Sequence, residues 1–332
     1  MTLKQLLQRT AANLNILEER KARQGSTPEL KLLNEIEDHR RAIALIQQAL
    51  ATGLTEAGLR QLKVELRPLL VAANVEQVDL EQLKLEKPTL PFEPETILIP
   101  AGPFLMGSHV SAEETPPHQV NLAAYRIGVY PVTNTQYAEF IKQARQQEAP
   151  RKAGWFLREP PGDKLDHPVV GVSWHDALAY CRWLSEQTGR SYRLPTEAEW
   201  EKAARGENGQ LYPWGDEWTE GRCPQGQTDT SPVTAYPGGA SPYGCLDLVG
   251  NVQQWTSTLW GSNLNQCDFP YPYQAGDGRE DLAADQRLPR VFRLHRGGSF
   301  RDEPARLRCS ARSYSDPDSK IRWRGFRVVL EV

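Results

Sequence analysis

Tyr192-Arg-Leu-Pro-Thr-Glu-Ala-Glu-Trp-Glu-Lys-Ala-Ala-Arg-Gly206 is the stretch on which the fold turns. Thr196 and Glu199 have capping-box spacing, where each side chain can satisfy the other's free backbone donor. Trp200, Ala203 and Ala204 follow on one face, so a helix with its apolar side inward is expected. A second helix is expected from Ser173-Trp-His-Asp-Ala177. Ser173 caps it, and Ala177, Cys181 and Leu184 share a face. Around these helices the chain is rich in Gly, Pro and aromatics. Thr96-Ile-Leu-Ile-Pro100, Tyr125-Arg-Ile-Gly-Val-Tyr130 and Phe326-Arg-Val-Val-Leu330 read as strands. Two helices inside a loop-rich antiparallel frame predict an α+β domain.

Outward from this core, composition changes near Lys87–Pro94. Before it the chain has no Trp, Tyr or Phe; from it onward come all 9 Trp, 11 Tyr and 8 Phe. Residues 89–95 read as a Pro-stiffened linker between a first domain, 1–88, and a second, 96–332. The first domain reads as helices. Leu3, Leu7, Leu14 and Leu17 recur at helical spacing, and Gly25 closes the run. Ser26-Thr27-Pro28 supplies a cap and a first-turn proline. Leu33, Ile36, Ile43, Ile46 and Leu50 form the next stripe, ending before Gly53. Thr55 caps a third helix through Leu59, Leu62, Leu66, Leu69 and Leu70. Short loops between three helices predict a small all-α bundle. Its lone His39 reads as a surface residue, so this half offers no catalytic chemistry.

The 332 residues carry a net charge of -3, which argues against nucleic acid as a partner. No apolar run reaches the roughly 18 residues of a membrane span. Met1–Thr10 has no extended apolar run, so no secretory signal is expected and the chain is expected to be cytoplasmic. Cys181, Cys223, Cys245, Cys267 and Cys309 are odd in number and widely spaced. They read as reduced, mostly buried thiols, which also disfavours zinc. The histidines of the second domain (His109, His118, His167, His175 and His295) form no ligand-spaced pair, and no phosphate-binding loop is present.

Several phrases in order resemble the formylglycine-generating enzyme (sulfatase-modifying factor) family. They are Ile99-Pro-Ala-Gly-Pro-Phe-Leu-Met-Gly-Ser108, Tyr130-Pro-Val-Thr-Asn-Thr-Gln-Tyr137, His167-Pro-Val-Val-Gly-Val-Ser-Trp-His-Asp-Ala177 and the opening stretch. Tyr212-Pro-Trp-Gly215, Gly250-Asn-Val-Gln-Gln-Trp-Thr256, Arg296-Gly-Gly-Ser-Phe300 and Gly325-Phe-Arg-Val-Val329 complete the set. The resemblance runs from about Ile97 to Leu330 and implies a variant C-type lectin fold, preceded here by the helical bundle. In the N-terminal half, Ile16–Gly25, Glu35–Ala44 and Arg67-Pro-Leu-Leu-Val71 resemble a bacterial effector-associated domain. That resemblance implies coupling through residues 1–88 to an effector such as an NTPase or protease.

The family resemblance also supplies a catalytic test. Its oxidases hold copper on two thiolates shortly after Gly-Gly-Ser, because Cu(I) prefers sulfur. Here Asp302 stands where the first cysteine would fall, the segment is shorter, and no second cysteine follows. Cys309 matches a separate Arg-Cys phrase of the family and is expected in the core. Neither copper nor iron is expected: the related iron enzymes need three histidines, some from the helical domain, which here holds only His39. The family's calcium motif would draw on Asp247, Gly250, Val252 and Gln254. One carboxylate remains there, which leaves two readings open, calcium or a metal-free turn.

With the copper pair missing, the expected function is ligand recognition without catalysis, in bacterial defence or signalling. A protein ligand is expected on a surface formed by Trp260–Pro289 and Phe300–Trp323. The candidate contacts are Arg301, Asp302, Arg306, Tyr314, Asp316, Arg322 and Trp323, of types that give contact area at low entropy cost. Arg308, Arg312 and Arg327 are assigned to internal bonding instead. The tail from Arg296 to Val329 further resembles the variable region of retroelement-diversified proteins. Two other readings stay open: an oxidoreductase with an unusual metal site, and an assembly protein whose tail packs on a sister subunit.

Overall fold

The computed structural model describes residues 3–24, 28–52, 56–72 and 89–332. The helix signals expected at Gly25, Ser26, Thr27, Gly53 and Thr55, and the start of the composition break at Lys87 and Pro88, lie outside the described residues. The chain divides into two compact units, Met1–Pro88 and Thr89–Val332. Among the described residues no helix is long and apolar enough to cross a membrane.

The first unit contains α1 (Leu3–Gln24), α2 (Leu30–Thr52) and α3 (Glu56–Ala72), with α2 packed against both others. A helix flanked on two sides buries a wider arc than a single stripe. Leu32, Ile36, His39, Ala42, Ile46 and Ala49 are buried on α2, while the expected Leu33 and Ile43 are half-buried. Among the described side chains of α1, Leu6 and Thr10 are buried, and the Thr10 hydroxyl donates to the Leu6 carbonyl at 2.8 Å. Leu7, Leu14 and Leu17 are half-buried. His39 is not a surface residue: it is 1% exposed, with Nδ1 2.8 Å from the Glu35 carbonyl oxygen.

The expected linker is in fact docked on the second unit. Glu93 is buried, pairs with Arg190 at 2.7 Å and accepts from the Tyr192 hydroxyl, while Phe92 packs on Trp183 at 5.1 Å. An acid that finds a buried cation and a phenol turns a Pro-rich segment into part of the fold.

Three antiparallel or mixed sheets organise the second unit. β1 (Thr96–Ile99), β4 (Tyr125–Gly128), β10 (Val329–Glu331) and β5 (Tyr192–Arg193) lie in the order β1-β4-β10-β5. β2 (Gly102–Met106) pairs with β3 (His118–Leu122). β6 (Gln253–Gly261), β7 (Phe292–Arg296), β8 (Ser313–Ser315) and β9 (Arg324–Phe326) lie in the order β8-β7-β6-β9, with β6 and β9 parallel. The expected strand Phe326–Leu330 divides, because Arg327 turns inward. Its guanidinium donates to the carbonyls of Gly128, Leu246 and Asp247 at 2.7, 2.9 and 3.0 Å. The chain thereby passes from one sheet to the other across two buried residues, Arg327 and Val328.

Both expected helices form, as α5 (Trp174–Thr188) and α6 (Glu197–Arg205), each with a complete capping box. The sequence reading missed a third helix, α4 (Asn134–Gln143), although Thr133 and Gln136 carry the same capping signal. A short α7 (Ala284–Arg287) follows β6. Aromatic residues of α4, α5, β6 and β9, including Tyr137, Trp174, Tyr180, Trp255 and Phe326, form one core. Trp200, Cys245, Cys309 and Val329 belong to a second.

Candidate functional site

Every residue of α6 is buried, including three glutamates, a lysine and an arginine. Buried charges persist only where partners meet them. Lys202 donates to the carbonyls of Pro100 and Gly102 at 2.7 and 2.9 Å, and Glu199 is held by Arg193 at 2.6 and 2.7 Å. Glu197 lies among three arginines: Arg312 at 2.9 and 3.0 Å, Arg296 at 3.2 Å and Arg279 at 3.7 Å. Glu201 binds Arg296, takes a bond from Arg205 at 2.8 Å and accepts from Gly107 N–H at 2.7 Å. Burial works against the charge on Arg296, but Glu201, Tyr271 and Glu197 reverse this and raise its pKa. The C-terminal tail is thus bolted onto α6 by the ion pairs of Arg296 and Arg312, and Arg308 is paired internally as well. Arg308 clasps Glu114 at 2.6 and 2.9 Å.

Two surface hollows divide the expected contact residues. The first, about 470 Å³, has Arg306, Arg308, Arg312 and Tyr314 on its walls with Glu113 and Glu114 opposite. Tyr314 is stacked on Trp260 with centroids 4.1 Å apart and donates to the Leu264 carbonyl. The second, about 500 Å³, is lined by Phe300, Arg301, Glu303, Arg322 and Trp323 against residues 225–229. There the Arg301 guanidinium lies 4.3 Å over the Trp323 ring. Two expected contacts line neither hollow. Asp302 holds its own turn, its Oδ2 accepting from Ser299 N–H and Oγ–H, both at 2.8 Å. Asp316 accepts from Asp318 N–H at 2.9 Å in another turn. Short acidic side chains next to turns commonly bond local backbone, so both are corrected to structural residues.

The turn around Gly250 does not fit calcium. Gln254 Oε1 accepts from Trp200 Nε1 at 2.8 Å and from Arg327 Nε at 2.6 Å, and its Nε2 donates to the Asp247 and Leu248 carbonyls. Arg327 also donates to the Asp247 carbonyl. Asp247 Oδ2 accepts from Asn251 at 2.9 Å. The two side-chain oxygens that a hard cation would need from this set, on Asp247 and Gln254, are committed to protein donors, and a guanidinium stands beside them. Of the two open readings, the structure favours the metal-free turn over the ligand set Asp247, Gly250, Val252 and Gln254. Millimolar calcium is accordingly expected to leave the melting temperature unchanged.

Desolvation pushes the Asp247 carboxyl up to about 7. A free aspartate titrates near pH ~3.9, so the folded chain keeps a proton that the unfolded chain loses across that interval. This contribution to stability falls as pH rises from about 4 to about 7. Asp247→Asn keeps an acceptor for Asn251 and removes the titration. Its melting temperature relative to the parent should rise between pH ~5 and pH ~8; a difference that stays flat would overturn this reading.

The five cysteines are free, and all but Cys267 are buried. Burial pushes the Cys181 and Cys223 thiols up to about 12 and about 11, and raises Cys309 further in the same direction. Such thiols are held protonated, away from the thiolate form that binds metal or attacks. Among the described residues, no group of three or more His, Cys, Asp and Glu is arranged to hold a metal ion. His118 Nε2 accepts from Tyr273 N–H at 2.7 Å, and His167 bonds Thr230 at 2.9 Å. The Glu197–Glu201 hub was not read from the sequence. Its signal was faint: two glutamates four apart on a helix whose apolar face was already assigned.

A family profile described as sulfatase-modifying factor enzyme 1-like domain matches residues 82–332. The chain is 31% identical over 283 residues to serine/threonine-protein kinase pkn1 of Chlamydia caviae, covering 80% of this chain and 43% of that protein. It thus spans less than half the length of that relative. It is 31% identical to the inactive C-alpha-formylglycine-generating enzyme 2 of Bos taurus, covering 70% of this chain and 87% of the other. Against the formylglycine-generating enzyme of Mycobacterium tuberculosis the identity is 32%, with 71% and 98% covered. Among solved structures, PvdO from Pseudomonas aeruginosa aligns with a TM-score of 0.57 and 26% identity, over 73% of this chain and 96% of that one. Treponema denticola variable protein 1 aligns at 0.55 and 22%, over 71% and 95%, a likeness of fold.

Proposed function

This chain belongs to the sulfatase-modifying factor enzyme 1-like family, and from that premise we propose that it is a non-catalytic recognition protein. One observation carries the reading. Where the family's oxidases are expected to place their first copper thiolate, this chain has Asp302, and its carboxylate closes the Ser299 turn. The relatives include both active and inactive formylglycine-generating enzymes, so membership is compatible with loss of the chemistry. The hollow at Phe300–Trp323 is the binding surface in this reading. The helical unit couples binding to an effector, an NTPase or a protease, inside a bacterial cytoplasm.

The tail has the pattern of a fixed frame carrying free positions. Gly297, Ser299, Arg308, Cys309 and Gly325–Val329 are buried, while Arg301, Glu303, Arg306 and Arg322 between them are exposed. Substitution at the exposed set leaves the frame untouched, which supports the proposal of a retroelement-diversified variable protein. An imperfect repeat of the gene's 3′ end, differing at template adenines, is the genomic mark to look for.

The test of the non-catalytic reading is chemical. Incubated with copper, reductant, oxygen and a cysteine peptide, the chain is expected to yield no formylglycine by mass spectrometry. Aldehyde formed in proportion to bound copper would overturn the proposal.

A further inference from the structure

We infer that the Phe300–Trp323 hollow is built for carboxylates, so that its occupant is an acidic segment of another protein. This rests on the recognition reading above and names the ligand's chemistry. In the neighbouring hollow, Arg308 is matched by Glu114 and Arg312 by Glu197. Those two guanidiniums are neutralised from within, and the remaining one, Arg306, shares its hollow with the exposed Glu113. In the Phe300–Trp323 hollow, Arg301 and Arg322 are exposed and, among the described residues, neither makes an ion pair with a carboxylate. Of the rim acids, Asp229 is committed to Lys164 at 2.6 Å and to Thr230 N–H at 2.8 Å. Glu303 alone is uncommitted, so two guanidiniums face one carboxylate.

Geometry sharpens the choice of ligand. Arg301 lies over the face of Trp323. Stacking fixes the plane of a guanidinium and leaves its N–H edge open, which suits the two oxygens of a carboxylate. The half-buried indole beside it offers apolar area to whatever residue flanks the acid. A nucleic acid would need a basic stripe to follow its phosphates. Here there are two arginines, Glu303 between the same walls, and a net charge of -3 on the chain. A short acidic peptide fits that balance.

The experiment uses the full chain and three fluorescein-labelled peptides read by anisotropy: alternating Glu and Tyr, the same with Gln for Glu, and the same with Lys for Glu. The Glu peptide is expected to bind most tightly and to weaken with added salt. Arg301→Ala and Arg322→Ala are each expected to weaken it about tenfold, the loss of one charge-assisted contact. Arg301→Lys is expected to recover only part of this, because an ammonium lacks the fork. Lys142→Ala on α4, the same change of charge elsewhere, should bind like the parent. Equal binding of the Gln or Lys peptide, no binding of any, or binding unaffected in the Arg301→Ala, Arg322→Ala double variant would overturn the inference. So would displacement of the Glu peptide by a single-stranded oligonucleotide at lower concentration than by the unlabelled peptide. If the Gln peptide binds and Trp323→Ala abolishes it, the ligand class fails while the recognition reading stands. Copper-dependent oxidation of a cysteine peptide would remove the recognition reading itself.

Discussion

Glu197→Ala is expected to destabilise the second unit by about 3–5 kcal/mol, the range for removing one partner from a buried ion pair. Glu197 and Arg296 are fully buried and Arg279 and Arg312 nearly so, and Glu197 supplies the carboxylate that all three arginines share. Without it Arg279 keeps Asp277 at 2.8 Å and Arg296 keeps Glu201, but Arg312 loses both its bonds to a carboxylate and keeps the Glu113 carbonyl at 2.9 Å. Arg312 also stacks 4.3 Å from the Tyr271 ring, so the loss reaches the loop that carries Tyr271. Glu197→Gln retains acceptor and shape and should cost less than the alanine variant, the gap measuring the charge itself. Urea denaturation of both variants and the parent decides the matter. A Glu197→Ala loss below about 1 kcal/mol, the scale of an exposed pair, would mean the network is bystander to the fold.

Gly297→Ala is expected to be comparably damaging, about 2–5 kcal/mol, for a reason unrelated to charge. Gly297 has φ of 89°, a left-handed conformation that side chains avoid. An added Cβ would sit 2.3 Å from the Leu248 carbonyl oxygen and 3.2 Å from the Trp200 ring. The Leu248 carbonyl cannot retreat freely, because Gln254 Nε2 holds it and the Gly297 carbonyl accepts from Gly250 N–H at 3.0 Å. Backbone strain and overlap therefore add. Gly276→Ala, also at positive φ but with no atom near its Cβ, isolates the conformational part and should cost only about 1–2 kcal/mol. Equal losses from the two glycines would show that the close approach at Leu248 contributes nothing.

By itself the sequence determined what is local. Capping boxes join residues three apart, so Ser173 and Thr196 announced α5 and α6 directly, and Thr133 with Gln136 announced α4 to a reader who weighed it. Composition changes where the chain divides, at Pro88 and Thr89. Tertiary structure decided what depends on distant partners. Glu197 meets Arg296 across 99 positions and Arg312 across 115, and nothing in a linear spacing encodes such a meeting. The same is true of the linker: Glu93 became part of the fold because Arg190 and Tyr192 were waiting for it. It is true of the calcium motif, whose Gln254 was claimed by Trp200 and Arg327. And among arginines of one tail that look alike on paper, burial beside glutamates neutralised Arg308 and Arg312 and left Arg301 and Arg322 to face solvent. Coulomb attraction between groups close in space but far apart in sequence makes that selection, and the fold alone sets those distances.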